Sequence, residues 1–210
     1  YDEMSSPTGI LSSLYATLVN SAAKGWKNLV FDIGQAYLNA ELTGEKVHIK
    51  LDRALSRLSS QVDKYSEYAG KYDQFINEKD DELGEGAIIV ELDKALYGCL
   101  QSARRWRDTL KEVLEAMTYE PSKRDPCVFR KYNDEGKVVA SVFMHVDDGY
   151  FSCENQEIYD EFVKNLNKGF PHGVTYSEKD ADHFEYLGMI IDFSVKGKCH
   201  STMKKYIEAI

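Results

Sequence analysis

The chain has 210 residues, of which 43% are hydrophobic and 29% charged, as is ordinary for a soluble globular protein with one large domain or two small ones. Its formal net charge of −9 excludes a surface that is basic throughout and weighs against general nucleic-acid binding, because phosphate contacts need Lys and Arg. A local basic groove remains open, since several Lys and Arg residues are clustered in the sequence.

The cysteines and the apolar runs bear on the compartment. Four cysteines are widely spaced and form neither a C-x-x-C pair nor a Cys/His zinc pattern, which favours reduced thiols in an intracellular protein. No apolar run approaches the ~18 residues of a membrane span, and the start of the chain lacks the pattern of a signal peptide, so we expect no membrane segment. The chain begins with Tyr1 and not Met, so we expect it to be a segment of a longer protein.

The first half of the chain alternates helical and extended patterns. Apolar residues at helical spacing predict a helix over residues 10–24, which Gly25 ends. Residues 28–33 are a short apolar run, typical of a buried strand, and Asp32 lies near its end, where a charge is costly unless it is paired or bound to a metal. The remaining predictions in this half are a helix over residues 52–76, an acidic loop over 77–86 and a strand over 87–92.

The second half begins with a long amphipathic helix, predicted over residues 101–119 with Trp106 on its buried side. Further predictions, in chain order, are strands over residues 126–132 and 137–146 joined by a turn at 133–136, a helix over 155–167, a strand over 183–193, a turn at 196–198 and a helix from Met203. This order of elements predicts an α+β fold with a mostly antiparallel sheet and helices on one face.

A predicted strand leads to two adjacent carboxylates, Asp147 and Asp148, and a second apolar run follows Gly149. This pattern predicts a β-hairpin whose tight turn carries both aspartates. Like charges side by side repel each other, and a divalent cation would relieve the repulsion. Oxygen-only ligands suit Mg²⁺ or Mn²⁺ better than zinc. The alternative is a solvated turn, which we assign to the second pair, Asp80 and Asp81, because no strand flanks it.

A third carboxylate strengthens the metal hypothesis. If the strand that carries Asp32 pairs in the same sheet as the hairpin of Asp147 and Asp148, three carboxylates meet at one end of the sheet. Such a set can hold two divalent cations roughly 3.5–4 Å apart, which stabilise the attacking and leaving oxygens of phosphoryl transfer. The sequence therefore suggests a nucleotidyl-transfer site.

Several stretches, in order along nearly the whole chain, resemble the motifs of copia-type retrotransposon reverse transcriptases. Residues 31–39 (Phe-Asp-Ile-Gly-Gln-Ala-Tyr-Leu-Asn) resemble the first catalytic motif, and residues 94–106 (Lys-Ala-Leu-Tyr-Gly-Cys-Leu-Gln-Ser-Ala-Arg-Arg-Trp) resemble the second. Residues 125–129, residues 145–148 (His-Val-Asp-Asp) and residues 185–191 are similar to the pieces that follow, the last of which opens the primer-gripping hairpin. The opening residues also fit what precedes the first motif.

The resemblance implies a right-hand polymerase: a palm over residues 26–50 and 94–193, a fingers elaboration over 51–93 and the start of the thumb over 194–210. It implies an RNA-directed DNA polymerase that uses RNA or DNA templates, deoxynucleoside triphosphates and two Mg²⁺ or Mn²⁺ ions. It further implies integrase and RNase H in the same polyprotein, and an intracellular location in the cytoplasm, in virus-like particles or in the nucleus. Activity of these 210 residues by themselves is not implied.

The resemblance also implies roles for individual residues at the chemical centre. Asp32 and Asp147 would be the main metal ligands and Asp148 would assist, with a backbone oxygen at Ile33. Tyr37 matches the position of an aromatic ring under the sugar, where it would clash with the 2′-hydroxyl of a ribonucleotide. The alternative for Tyr37 is core packing.

The nucleotide and primer sites take further residues from the resemblance. Tyr97 and Gly98 would approach the incoming nucleotide, Gly98 because it lacks a Cβ atom, although a turn glycine is its alternative. The primer and template would contact His145, Leu187, Gly188 and Arg104. A solvated helix face is the alternative for at least two of the clustered arginines Arg104, Arg105 and Arg107. His145 replaces the Tyr usual before Val-Asp-Asp, and Leu100 and Ala103 replace the usual Lys and Pro, which loosens the assignment of template contacts there.

Two other hypotheses are weighed against an active polymerase. A decayed or co-opted copy could keep the palm fold as a nucleic-acid-binding or structural module, but intact Asp32, Asp147, Asp148 and Tyr37 favour an active enzyme. A magnesium-dependent nuclease or nucleotide cyclase on a similar sheet lacks support from the second motif.

Overall fold

The structure is a computed structural model that describes residues 7–44, 46–52, 54–56, 58, 87–178 and 182–208. The chain divides into two compact units, Tyr1–Ala40 with Leu96–Ile210, and Glu41–Ala95. The acidic loop predicted over residues 77–86, most of the helix predicted over residues 52–76 and the pair Asp80 and Asp81 lie outside the described residues. Among the helices that are described, none is long and apolar enough to cross a membrane.

The larger unit contains four α-helices and nine strands within its described residues. The helices are α1 (Leu11–Lys24), α2 (Ser102–Ala116), α3 (Gln156–Gly169) and α4 (Lys204–Glu208), and a 3₁₀ turn spans Ala36–Asn39. The strands are β1 (Lys27–Ile33), β4 (Glu120–Pro121), β5 (Val128–Tyr132), β6 (Val138–His145), β7 (Asp148–Cys153), β8 (Val174–Tyr176), β9 (His183–Tyr186), β10 (Met189–Asp192) and β11 (His200–Thr202). In the smaller unit, β2 (His48–Leu51) pairs antiparallel with β3 (Ile88–Glu91).

Six strands form the main sheet in the order β4-β5-β6-β7-β1-β8, and every neighbouring pair is antiparallel. Alternate residues of a strand point to opposite faces, so Phe31 and Phe151 share one face. There Phe162 of α3 stacks on Phe151 at 3.8 Å between ring centroids, and Trp106 of α2 packs against Phe170 at 5.4 Å. The two long helices therefore cover one face of the sheet.

The opposite face carries a second cluster of buried side chains. Leu14 and Leu18 of α1 pack with Phe143, Tyr150 and residues of the small β11-β10-β9 sheet. α1 ends at Gly25, whose φ of 64° is the left-handed conformation that glycine adopts without strain. The predicted α+β class with a mostly antiparallel sheet is confirmed, and α1 and the small sheet are found over the face that α2 and α3 leave free.

Two details of the hairpins differ from the sequence prediction. The tight turn between β6 and β7 consists of Val146 and Asp147, because His145 already pairs with Asp148; the prediction that Asp148 lies in the turn is wrong by one residue. The single strand predicted over residues 183–193 is also wrong, because it is two strands, β9 and β10, joined by a turn. Leu187 and Gly188 occupy that turn with φ of 49° and 74°, and positive φ at both central residues is typical of a two-residue hairpin turn.

Candidate active site

Asp32 and Asp148 lie directly opposite each other in the antiparallel pairing of β1 with β7. Because directly opposite residues project from the same face, both carboxyl side chains leave the face that also carries Tyr150. On its other side Asp32 pairs with Thr175 of β8, a short strand that the sequence did not predict. Asp32 therefore lies within the sheet, and both carboxylates are half-buried.

Asp147 completes the group from the turn. Its backbone carbonyl accepts a hydrogen bond from the Ile33 N–H at 3.1 Å, which ties the turn to the end of β1. The preceding residue, Val146, has a φ of 61°, a left-handed conformation that is strained for a β-branched side chain. The turn that presents Asp147 is thus held in a conformation that local preference alone does not supply.

Trp106 supports this turn from the helical face of the sheet. Its indole Nε1 donates a hydrogen bond to the Val146 carbonyl at 2.9 Å, and only 1% of the residue is exposed. Sequence reasoning placed Trp106 on the buried side of its helix but missed this contact. The signal was available in part, because a buried tryptophan needs an acceptor for its N–H.

The three carboxylates interact electrostatically. Burial, and then the nearby charge of Asp147, raises the pKa of Asp32. Burial raises the pKa of Asp148 as well, followed by the charges of Asp147 and Asp32, while His145 acts in the opposite direction. The neighbouring negative charges disfavour ionisation of Asp32 and Asp148, and a cation at this end of the sheet would relieve that repulsion.

The donor chemistry fits a hard divalent cation, because all three side chains offer carboxylate oxygens. Among the described residues, no group of three or more His, Cys, Asp and Glu side chains is arranged as a ready metal cluster. Mg²⁺ does not require one, since it usually keeps several waters and binds one or two carboxylates together with substrate phosphates. The residues fit such an ion by their chemistry.

Tyr37, Tyr97 and Gly98 lie together beside the carboxylates. The rings of Tyr37 and Tyr97 meet edge to face at 4.3 Å between centroids, and 65% of Tyr97 is exposed. Burial, and then the charge of Asp147, raises the pKa of the Tyr97 phenol. Gly98 has a φ of 94°, and a Cβ atom built on it would meet nothing within 4 Å. Backbone conformation therefore explains the glycine, and the space next to it is open.

The residues expected at the primer fall into two groups. His145 ends β6 directly opposite Asp148. Leu187 and Gly188 form the β9–β10 turn, and the residue before them, Tyr186, donates a hydrogen bond from its hydroxyl to the Asp148 carbonyl at 3.2 Å. His145 is thus adjacent to Asp148 in the sheet, whereas the Leu187–Gly188 turn is linked to the Asp148 main chain only through Tyr186. Arg104 instead forms an ion pair with Asp108 one turn along α2, in which the Arg104 side chain is 50% exposed, as on a solvated helix face.

Asp125, which lies in a motif of the resemblance, has a structural role. Its carboxylate accepts hydrogen bonds from the Ile10 N–H at 3.0 Å and from the Cys127 N–H at 2.9 Å. Only 2% of Asp125 is exposed. It thereby joins the start of α1 to the segment that enters β5.

Comparisons with known proteins identify the family to which this chain belongs. The sequence profile of the family described as reverse transcriptase (RNA-dependent DNA polymerase) matches residues 1–209. The chain is 23% identical over 212 residues to the retrovirus-related Pol polyprotein from transposon TNT 1-94 of Nicotiana tabacum, an alignment that covers 100% of this chain and 14% of the relative. The chain thus spans about one seventh of that relative's length. These matches confirm the resemblance to copia-type retrotransposon enzymes that the motifs indicated.

Two solved structures are also similar to this chain. One is apo telomerase from Candida tropicalis, with a TM-score of 0.47 and 12% identity over 94% of this chain and 37% of the telomerase. The other is telomerase from Candida albicans in complex with a fragment of telomeric RNA, with a TM-score of 0.43 and 10% identity over 91% of this chain and 34% of the telomerase.

Proposed function

Because the chain belongs to the reverse transcriptase (RNA-dependent DNA polymerase) family, we propose that it is the catalytic core of an RNA-directed DNA polymerase. It adds deoxynucleotides to the 3′ end of a primer on an RNA or DNA template. The observation that supports this most is the meeting of Asp32, Asp147 and Asp148 at one end of the main sheet, where burial and then neighbouring negative charge raise the pKa of Asp32 and Asp148. That arrangement suits a cation-dependent reaction on phosphates.

Asp32, Asp147 and Asp148 would hold the metal. Two divalent cations, Mg²⁺ or Mn²⁺, would supply stabilisation of the attacking and leaving oxygens when bound. The chain itself holds the metal-binding carboxylates in position, and positioning is a large part of how proteins catalyse phosphoryl transfer. Pairing with β7 fixes Asp32 and Asp148, and the Ile33 N–H bond fixes Asp147. The Ile33 backbone oxygen is proposed as a further ligand.

Tyr37 is proposed to select the sugar. The ring of Tyr37 packs against the ring of Tyr97, which restricts its movement. A nucleotide bound at the carboxylates would therefore contact a Tyr37 ring held in one position. A 2′-hydroxyl needs space that a deoxyribose does not. The space beside Gly98 is open, since a Cβ atom built there would have no neighbours, and we propose that the nucleotide occupies this space.

The primer is proposed to lie between His145 and the β9–β10 turn. His145 is next to Asp148 in the pairing of β6 with β7, and the Leu187–Gly188 turn follows Tyr186, which contacts Asp148. These two links to Asp148 support the proposal that the primer end lies between His145 and the turn. Arg104 is proposed to contact template or primer phosphates at the cost of its ion pair with Asp108.

The wider context is also proposed. The chain would act within a retroelement polyprotein beside integrase and RNase H, on template–primer duplexes and deoxynucleoside triphosphates. Residues 26–50 and 94–193 would form the palm, residues 51–93 the fingers elaboration and residues 194–210 the start of the thumb. The enzyme would work inside the cell, in the cytoplasm, in virus-like particles or in the nucleus.

Primer extension tests the proposed function. The full-length gene product is incubated with Mg²⁺, deoxythymidine triphosphate and an oligo-dT primer on a poly-rA template. We expect extension by the wild type and by the control Asp134→Asn, which removes an exposed carboxylate in the β5–β6 turn, but not by Asp147→Asn. Silence from a well-folded wild type would favour the decayed or co-opted palm.

A further inference from the structure

The hydroxyl of Tyr186 contacts the backbone of a proposed metal ligand. Tyr186 is the last residue of β9, is 2% exposed, and donates from its Oη to the Asp148 carbonyl at 3.2 Å. A buried hydroxyl is costly to leave unpaired, so this contact is favoured wherever the ring stays in place. The bond acts on the main chain of Asp148 and leaves its carboxylate free.

The ring of Tyr186 is itself fixed by packing. It lies against Phe143 at 6.4 Å and against Tyr150 at 6.3 Å between ring centroids, within the buried cluster under α1. A side chain held this way aims its hydroxyl at one position. Tyr186 can therefore act as a rigid spacer between its own strand and Asp148.

The contact joins two different sheets. β9 belongs to the small β11-β10-β9 sheet, whereas Asp148 begins β7 of the main sheet. The same β9 leads directly into the Leu187–Gly188 turn, which is proposed to hold the primer. The Tyr186 hydroxyl thus connects the proposed primer-gripping hairpin to the main chain of Asp148.

We infer that Tyr186 is a positioning residue, which sets the distance between the β9–β10 hairpin and Asp148 so that the primer end and the carboxylates are in register. This inference rests on the proposed function. Its physical basis is that catalytic groups must be held within about 0.5 Å, and that a misplacement of about 1 Å can cost about 100-fold in rate.

Tyr150 provides a matched control. It is fully buried in the same cluster, and its hydroxyl donates to Asn28 Oδ1 at 2.6 Å, away from the turn. Tyr150→Phe and Tyr186→Phe each remove one buried hydroxyl and keep the ring. Both variants should fold and lose a similar amount of thermal stability, a few degrees in Tm. A difference between the two variants in local opening or in reaction rate therefore reports the position of Asp148 and not the overall stability of the protein.

The first measurement is amide hydrogen exchange of the metal-free, full-length gene product. We expect Tyr186→Phe to speed exchange at residues 147–149 about tenfold and Tyr150→Phe to leave it within about twofold of the wild type, because exchange follows local opening. Unchanged exchange in Tyr186→Phe, or an equal increase in both variants, would overturn the inference. This readout stands even if the wild type fails to extend primers, so the two hypotheses can fail separately.

The second measurement is single-turnover primer extension with the same proteins. We expect the rate constant of Tyr186→Phe to fall about 10- to 100-fold with the template–primer Kd unchanged, because the hydroxyl positions and does not bind. Tyr150→Phe should keep the wild-type rate constant. A loss confined to template–primer affinity, or an equal loss in both variants, would contradict a positioning role for Tyr186.

Discussion

Asp32 and Asp148 face each other across the β1–β7 pairing, so two strands far apart in the sequence deliver like charges to one spot. The pKa of each carboxyl is raised, first by burial and then by the charge of Asp147. The fold therefore keeps together groups that repel each other, a cost that a structural role would not justify. A cation-dependent function would justify it.

Removal of one of these charges should stabilise the metal-free protein. Asp32→Asn keeps the size of the side chain and removes its repulsion with Asp147 and Asp148. We expect the free energy of unfolding at neutral pH to rise by about 0.5 kcal/mol, as is usual for partly screened charge interactions. Urea unfolding measures the change, and the surface variant Asp134→Asn serves as its control. A clear loss of stability in Asp32→Asn would contradict the electrostatic account.

The pH dependence of that stability has a definite sign. Because the folded-state pKa values of Asp32 and Asp148 are raised, the folded protein binds more protons than the unfolded chain in the window just above the ordinary value of 3.8. The repulsion is thus absent at low pH, grows as the pH rises through the folded pKa values, and is constant above them. The stability gain of Asp32→Asn should follow the same course in urea titrations from pH 4 to 7. A gain that is largest at pH 4 would contradict it.

Tyr37→Ala should admit ribonucleotides. Loss of the ring removes the expected clash with a 2′-hydroxyl, and we expect ribonucleotide incorporation relative to deoxynucleotide incorporation to rise about tenfold or more. Primer extension with each triphosphate measures the ratio. Tyr37→Phe keeps the ring and should keep the discrimination, and unchanged selectivity in Tyr37→Ala would remove the assignment.

Gly149 is required by packing in the sheet. A Cβ atom built on it would overlap the ring of Phe31, its partner across β1 and β7. We expect Gly149→Ala to cost about 1–3 kcal/mol in the free energy of unfolding, as overpacking does. The cost should largely vanish in a Phe31→Leu background, and a double-mutant cycle by urea unfolding measures the coupling. Additive effects would show that the ring is not the obstacle.

Asp125→Ala should destabilise the fold without a special effect on chemistry. It leaves the part-buried Ile10 N–H and the buried Cys127 N–H without their acceptor, at a cost of about 2 kcal/mol. The exposed control Asp134→Ala should stay within about 0.5 kcal/mol of the wild type. Thermal unfolding checks both. If Asp125→Ala folds but its rate constant of primer extension falls strongly, Asp125 has a role in the reaction as well as in the fold.

The sequence predicted the elements that bring the site together, but not their detailed register. The apolar runs around Asp32 and before Asp147 were long enough to indicate strands, and the motifs indicated that they meet. The position of Asp148 was missed because the two-residue turn uses Val146 in a left-handed conformation, which sequence preferences assign to Gly or Asn. Tertiary contacts from Trp106 and Ile33 accompany that conformation.

Short strands and side-chain contacts were beyond sequence reasoning. β8 has three residues, Val174–Tyr176, too few for a period to be seen, although it borders Asp32. The turn at Leu187 was missed for the same reason as Val146, since leucine rarely adopts a positive φ. The Tyr186 hydroxyl bond depends on two sheets that pack together, which no local pattern encodes.

The most direct test of the account is the single-turnover rate constant of primer extension at saturating Mg²⁺ and template–primer. The account predicts that Asp32→Asn and Asp147→Asn each lower it by about 1,000-fold or more, as expected when a metal ligand is lost from a charge-stabilised reaction, with the template–primer Kd unchanged. Rate constants within tenfold of the wild type in both variants would contradict it.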